Sequence, residues 1–201
     1  MKILLDNVES VINVNEYESF QVLLWDIEKT IETKGRVITS LKVDGMNLDN
    51  LFHFSLEEIS ILEISSKSPI MLLEETLHEL NSYVDRFFLG IEEIVSNFSY
   101  GNKAVGVDNL VEGIYGIEWI FQILRRSEEI LNLNDEALEK IYFYSDDVLI
   151  RLTGAINDKD YEKISIILQF DLYNMLVQIK NYVPKLLKLT SLDEEPEVFL
   201  N

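Results

Sequence analysis

From Ser68 to Leu189 the apolar residues recur at every third or fourth position; before Ser68 that rhythm is confined to one short stretch. Leu73, Leu77, Leu80, Val84, Phe87, Ile91, Ile94 and Phe98 step by 4, 3, 4, 3, 4, 3 and 4, an unbroken seam of the coiled-coil kind. Ser68 and Pro69 suit its N-cap and first helical position, and Gly101 and Asn102 end it. The spacing predicts a second helix on Val107, Leu110, Ile114, Ile117, Phe121 and Leu124, with Leu131 in phase. A third follows on Leu138, Tyr142, Ser145, Leu149, Leu152 and Ile156, opened by Asn134, Asp135 and Glu136. Beyond a polar loop at 157–160, the fourth carries Tyr161, Ile164, Leu168, Leu172, Met175, Ile179, Tyr182, Leu186 and Leu189. Short connections make successive helices antiparallel neighbours, so residues 69–190 read as an up-down-up-down four-helix bundle. Pro184 is expected to kink the last helix or end its regular part.

Residues 1–68 predict a small mixed module. Lys2 to Asn7 and Ser10 to Asn15 read as short strands around a turn at Asn7–Glu9. Glu18 to Lys34 is helical on Phe20, Leu23, Leu24, Ile27 and Ile31, and Gly35 stops it. Val37 to Val43 reads as a strand, Asp44-Gly45 as a tight turn, and Ser55-Leu56-Glu57-Glu58 as a capping box with one helical turn. Ile59 to Ser65 reads as the last strand.

The order strand, strand, helix, strand, turn, strand resembles the ubiquitin-like β-grasp, and VDGMNLDN looks like that fold's tight turn before its last strand. The resemblance implies an interaction module and nothing more specific. A ferredoxin-like arrangement is the alternative reading of this module. The fold class is thus α+β: a β-grasp-like module at 1–68, a helical bundle at 69–190 and an acidic flexible tail at 191–201. The tail's Val198-Phe199-Leu200 tip is either a disordered end or a short docking segment.

Composition narrows the function. With 47% hydrophobic residues in 201, the chain can bury a core. The absence of cysteine excludes disulfides, thiolate metal sites and a cysteine nucleophile. Neither a signal-peptide layout nor a membrane-length apolar run is present, so a cytoplasmic protein without membrane contact is expected. A net charge of −19 disfavours nucleic-acid binding and suits either solubility or a basic partner. Mimicry of nucleic acid is the least favoured reading, because the charge is spread along the chain.

Candidate chemistry is sparse. Glu75 and His78 have the Glu-x-x-His spacing of carboxylate-bridged metal bundles, and Glu92 and Glu118 could join them. His53 is the only other histidine, so a solvated His78 is the simpler reading; no metal and no cofactor are expected. Nucleophile elbows and glycine-rich phosphate loops are absent, which points away from an enzyme.

The second bundle helix carries the strongest functional signal. Gly106, Gly113 and Gly116 each cost about 1 kcal/mol relative to alanine, so something should approach the backbone closely there. On the expected seam, Tyr115, Trp119, Ile120 and Ile123 fall on the flank and outer face, where a bundle helix should be polar. Three readings follow: the N-terminal module packs over this helix, a partner helix docks there, or a small molecule binds. The leading expectation is a non-enzymatic interaction protein (adaptor, assembly factor or secretion-type chaperone). It would bind a protein partner, or itself, through an amphipathic helix at Gly113, Tyr115, Gly116, Trp119, Ile120 and Ile123. In composition it looks similar to the small acidic chaperones of bacterial export. The alternative is a carboxylate-metal or small-ligand bundle. Two minor features are the aromatic run Tyr142-Phe143-Tyr144 and an echo between LGIEEI at 89–94 and YGIEWI at 115–120.

Overall fold

Two tight turns with positive φ, at Asp6-Asn7 and Asp44-Gly45, set the N-terminal sheet. The computed structural model describes residues 1–47 and 55–191; His53, the end of VDGMNLDN and the tail beyond Ser191 lie outside the described residues. Asp6 and Asn7 both have positive φ (49° and 67°), as a two-residue hairpin turn requires. The turn therefore falls one residue earlier than expected, and it pairs β1 (Lys2–Leu5) with β2 (Val8–Glu9) in the register Leu4↔Glu9. The strand expected at Ser10–Asn15 does not form. Asn13 caps a 3₁₀ turn at Val14–Glu16 instead, its side chain accepting from the Asn15 N–H and donating to Glu16.

Helix α1 (Phe20–Thr33) starts where Ser19 Oγ accepts the Val22 N–H and stops before Gly35, at φ +67°. Strand β3 (Val37–Val43) turns at Asp44-Gly45, again with positive φ at both residues, into β4 (Met46–Asn47), a short strand that the sequence pattern did not separate. Glu58 accepts the Ser55 N–H and Ser55 Oγ accepts the Glu57 N–H around a single turn, close to the expected capping box. The last strand, β5 (Ile61–Lys67), lies two residues later than expected. The sheet order is β2-β1-β5-β3-β4; β1 and β5 are parallel and the other pairs antiparallel. Phe20, Leu23, Ile27 and Ile31 of α1 share a core with Ile3, Val43, Ile59, Leu62 and Ile64.

The chain divides into two compact units at Leu72/Leu73. The second unit is helical. Helix α2 (Pro69–Ser99) begins at Ser68, whose Oγ accepts the Met71 N–H, and all eight residues of its expected seam are buried. Helices α3 (Lys103–Leu131) and α4 (Glu136–Asn157) follow. Helical backbone then runs from Tyr161 to Thr190 as α5 (Tyr161–Ile166), a π segment (Ile167–Leu172) and α6 (Tyr173–Thr190). Of the two outcomes expected at Pro184, a kink or an end to the regular helix, the second is corrected: α6 continues through it to Thr190.

Cross-helix pairs show how these elements run. Phe98 lies over Gly106 while Tyr83 and Phe87 lie over Gly116, so α2 and α3 are antiparallel. Tyr142 donates to Glu128 across α3 and α4 (2.7 Å). Arg151 reaches Asp171, and Tyr182 reaches Asp135 (2.7 Å each), setting α4 against the last helical run. That run also meets α2 through Phe98–Tyr161 and Phe88–Tyr173, with ring centroids 5.1 and 4.4 Å apart. One apolar core fills the space between all of them.

The seam of α3 needs correction. Its buried residues are Gly106, Leu110, Gly116, Ile117, Ile120, Ile123, Leu124 and Ser127. Leu110, Ile117 and Leu124 hold, Val107 and Phe121 give way to their upstream neighbours Gly106 and Ile120, and Ile114 stays half-buried against the core. The reason is steric: large side chains of α2 fill the places the glycines leave empty. The same half-shift occurs in α4, where Ile141, Val148 and Ala155 are buried beside Leu138, Ser145 and Leu152.

Candidate functional site

Where α2 and α3 pass each other, two glycines leave a gap. A Cβ on Gly90 would meet nothing within 4 Å, and one on Gly113 would make only ordinary contacts with Phe87 (3.6 Å) and Ile94 (3.8 Å). The resulting open cleft, about 310 Å³, is lined by Phe87, Ile94 and the two glycines, with Tyr83, Arg86, Glu93, Asn109 and Glu112 around them. Its volume lies at the small end of the ligand-pocket range, roughly 300–1,000 Å³.

The cleft has one aromatic end. Tyr83 stands edge-on to Trp119, with centroids 4.9 Å apart at 70°, and edge-on to Phe87 at 5.9 Å. The Arg86 guanidinium lies 5.6 Å from the Tyr83 ring centre. Burial pushes the Tyr83 phenol up; Arg86 opposes that and Glu112 adds to it, so the hydroxyl is neutral at physiological pH. At the other end the Asn109 amide donates to Glu93 Oε1 (3.1 Å), linking the helices. Among the described residues neither Glu93 nor Glu112 forms an ion pair.

The expected partner-binding residues do not all share this surface. Gly113 lines the cleft, Tyr115 is 61% exposed and Trp119 is half-buried against Tyr83. Gly116 is buried beneath Tyr83 and Phe87. Ile120 and Ile123 are corrected from the outer face to the core, at 0% and 5% exposure, because the seam runs through the glycines. The clearance at Gly106 and Gly116 is taken by Phe98, Tyr83 and Phe87 of α2. What remains outside is a stripe at steps of four: Val107, Val111 and Tyr115, leading to Trp119. Tyr83, Arg86 and Asn109 went unnoticed in the sequence; its signals of the cleft were Gly113 and, in the LGIEEI echo, Gly90.

The Glu75 and His78 side chains lie on the exposed side of α2, and His78 Nε2 is 4.0 Å from Glu74 rather than joined to Glu75. Glu92 and Glu118 are exposed as well. Among the described residues no three metal-ligating side chains converge. In the aromatic run, Phe143 faces solvent, Tyr144 donates to the Asp171 carbonyl and Tyr142 to Glu128.

A second polar cluster clasps the start of α4 to α6. Asp135 accepts from the Ala137 N–H, the Tyr182 hydroxyl and the Lys185 ammonium. Those donors, Lys185 foremost, hold its carboxyl well below the usual range, at about 2. Burial and then the Asp135 carboxylate push the Tyr182 phenol up; burial and then Glu128 do the same for Tyr142. Every donor here is spent on the clasp itself.

Among the described residues no helix is long and apolar enough to cross a membrane. No curated protein and no solved structure matches the chain. Residues 75–182, from the second turn of α2 into α6 and including the whole cleft, match the family described as a domain of unknown function, DUF8042. That match spans more than half of the 201 residues, and the chain belongs to this family.

Proposed function

We propose that this is a non-enzymatic protein–protein interaction module, an adaptor, assembly factor or secretion-type chaperone working in the cytoplasm. The observation that carries the reading is the stripe Val107, Val111 and Tyr115, which stays exposed on α3 and runs to Trp119, itself packed edge-on against Tyr83. Apolar residues four apart on a helix are what a partner's amphipathic helix packs against. The helical unit is read as an antiparallel four-helix bundle, α5 to α6 being its fourth rod; the antiparallel cross-helix pairs support this. The N-terminal unit is read as a ubiquitin-like β-grasp, supported by the order β2-β1-β5-β3-β4 with β1 parallel to β5. A second reading, a small ligand in the same place, draws support from the volume of the cleft.

The test is affinity capture of the tagged protein from its own cell extract, compared with Tyr115→Asp. Tyr115 is mostly exposed, so the substitution should leave folding intact while placing a charge in the stripe. A stoichiometric partner lost from the variant supports the reading. A partner retained equally by both proteins rules out this face.

A further inference from the structure

We propose that the α2–α3 cleft seats a lysine or arginine side chain carried by a basic amphipathic helix of a partner protein. The aliphatic stem would lie along Phe87 and Ile94, and the charged head would reach Glu93 and Glu112. This rests on reading the α3 face as an interface and specifies what enters it.

The lining selects the occupant. The floor is apolar (Phe87, Ile94) and unobstructed at Gly90, whereas the walls carry one carboxylate from each helix. A purely apolar anchor would strip water from Glu93 and Glu112 and return nothing. An acidic anchor would meet both carboxylates and the field of a chain with net charge −19. A long cationic side chain satisfies floor and walls together, because its stem is apolar and its head is charged. Arg86 already covers the Tyr83 ring, so the incoming cation belongs at the Glu93–Glu112 side of the gap. Neither glutamate has an ion-pair partner among the described residues, so the newcomer displaces none. Tyr115 and Trp119, three and seven residues beyond Glu112 on the same side of α3, then offer aromatic contact to the rest of the same helix.

The probe is a synthetic amphipathic peptide with leucines on one face and lysines on the other, fluorescein-labelled and titrated with the full chain. A counterpart replaces every lysine by glutamine. Three variants accompany the wild type: Glu93→Gln with Glu112→Gln, Gly90→Leu to fill the cleft, and Glu139→Gln with Glu162→Gln to remove the same charge from other exposed helix positions. Thermal melts confirm that each is folded. The expected result is binding of the lysine peptide weakened about tenfold or more by each cleft variant and less than about twofold by the control. The glutamine peptide should bind poorly. Equal weakening by the control pair, or equal binding of the glutamine peptide, overturns the cationic anchor. If Tyr115→Asp still abolishes binding in those cases, the interface reading survives without it. Failure of the wild type to bind either peptide also overturns the anchor, and the capture experiment then judges the face on its own. A dimer by light scattering that Gly90→Leu dissociates would overturn it in favour of a second copy of the chain.

Discussion

The hydroxyl of Tyr83 lies over Gly116, at the point where any side chain on residue 116 would have to begin. The Tyr83 ring cannot swing away freely, since Trp119 and Phe87 flank it, and a Cβ at 116 would also come within 3.0 Å of Phe87. Gly116→Ala should therefore destabilise the protein by about 1–3 kcal/mol despite the better helix propensity of alanine. Gly90→Ala meets nothing and should stabilise by about 0.5–1 kcal/mol. Urea denaturation of the two variants checks this; shifts of the same sign in both would refute the packing account.

Asp135 makes stability depend on pH at the acid end. Its folded-state pKa, about 2, lies below the ordinary 3.8, so its contribution is present above that value and fades as pH falls towards 2. Asp135→Ala should lower the melting temperature at pH 7, and the gap from wild type should narrow between pH 4 and pH 2. A gap that stays constant across that range would mean that the carboxylate charge contributes nothing.

Pro184 sits exposed inside α6 and supplies no N–H to the carbonyl of Lys180. Pro184→Ala restores that bond and removes the clash of the ring with the preceding turn. A gain of roughly 1–3 kcal/mol is expected from chemical denaturation. A loss instead would show that the chain depends on the proline-bent path.

Arg36 ties three strand ends together. Its guanidinium donates to Ser66 Oγ (2.9 Å) and to the Ser66 carbonyl (2.7 Å), and pairs with Asp6 at 3.4 Å. Arg36→Ala leaves Asp6 without its cation and should cost about 1–3 kcal/mol. Amide exchange in β1 and β5 should rise more than in α2 to α4; a uniform rise would argue against a local tie.

The helices were legible because large apolar residues mark them, and α2 shows its seam in full. In α3 the same method failed at the glycines: a count of apolar side chains cannot register a position that is inward because it is empty. That error sent Ile120 and Ile123 to the surface and hid the cleft, whose other wall comes from Gly90 on α2. The π segment did leave a trace. Ile164, Leu168 and Leu172 take two successive steps of four, one residue more than the alternating pattern allows, and the backbone absorbs the excess at Ile167–Leu172. In the N-terminal unit, Asp44-Gly45 was readable as a hairpin turn, whereas Asp6-Asn7 lacks glycine and concealed its register.

Strand β5 is the middle of its sheet yet the last of its strands to be synthesised. Until Ile61–Lys67 has left the ribosome, β1 can pair only with the two residues of β2, and β3 only with the two of β4. The Asp6–Ser66 bonds, spanning sixty residues, close the sheet at the same moment. A nascent chain therefore carries two open hairpins for as long as it takes to make residues 48–60. The sheet of this unit can therefore close only once β5 is present, however early its local turns form.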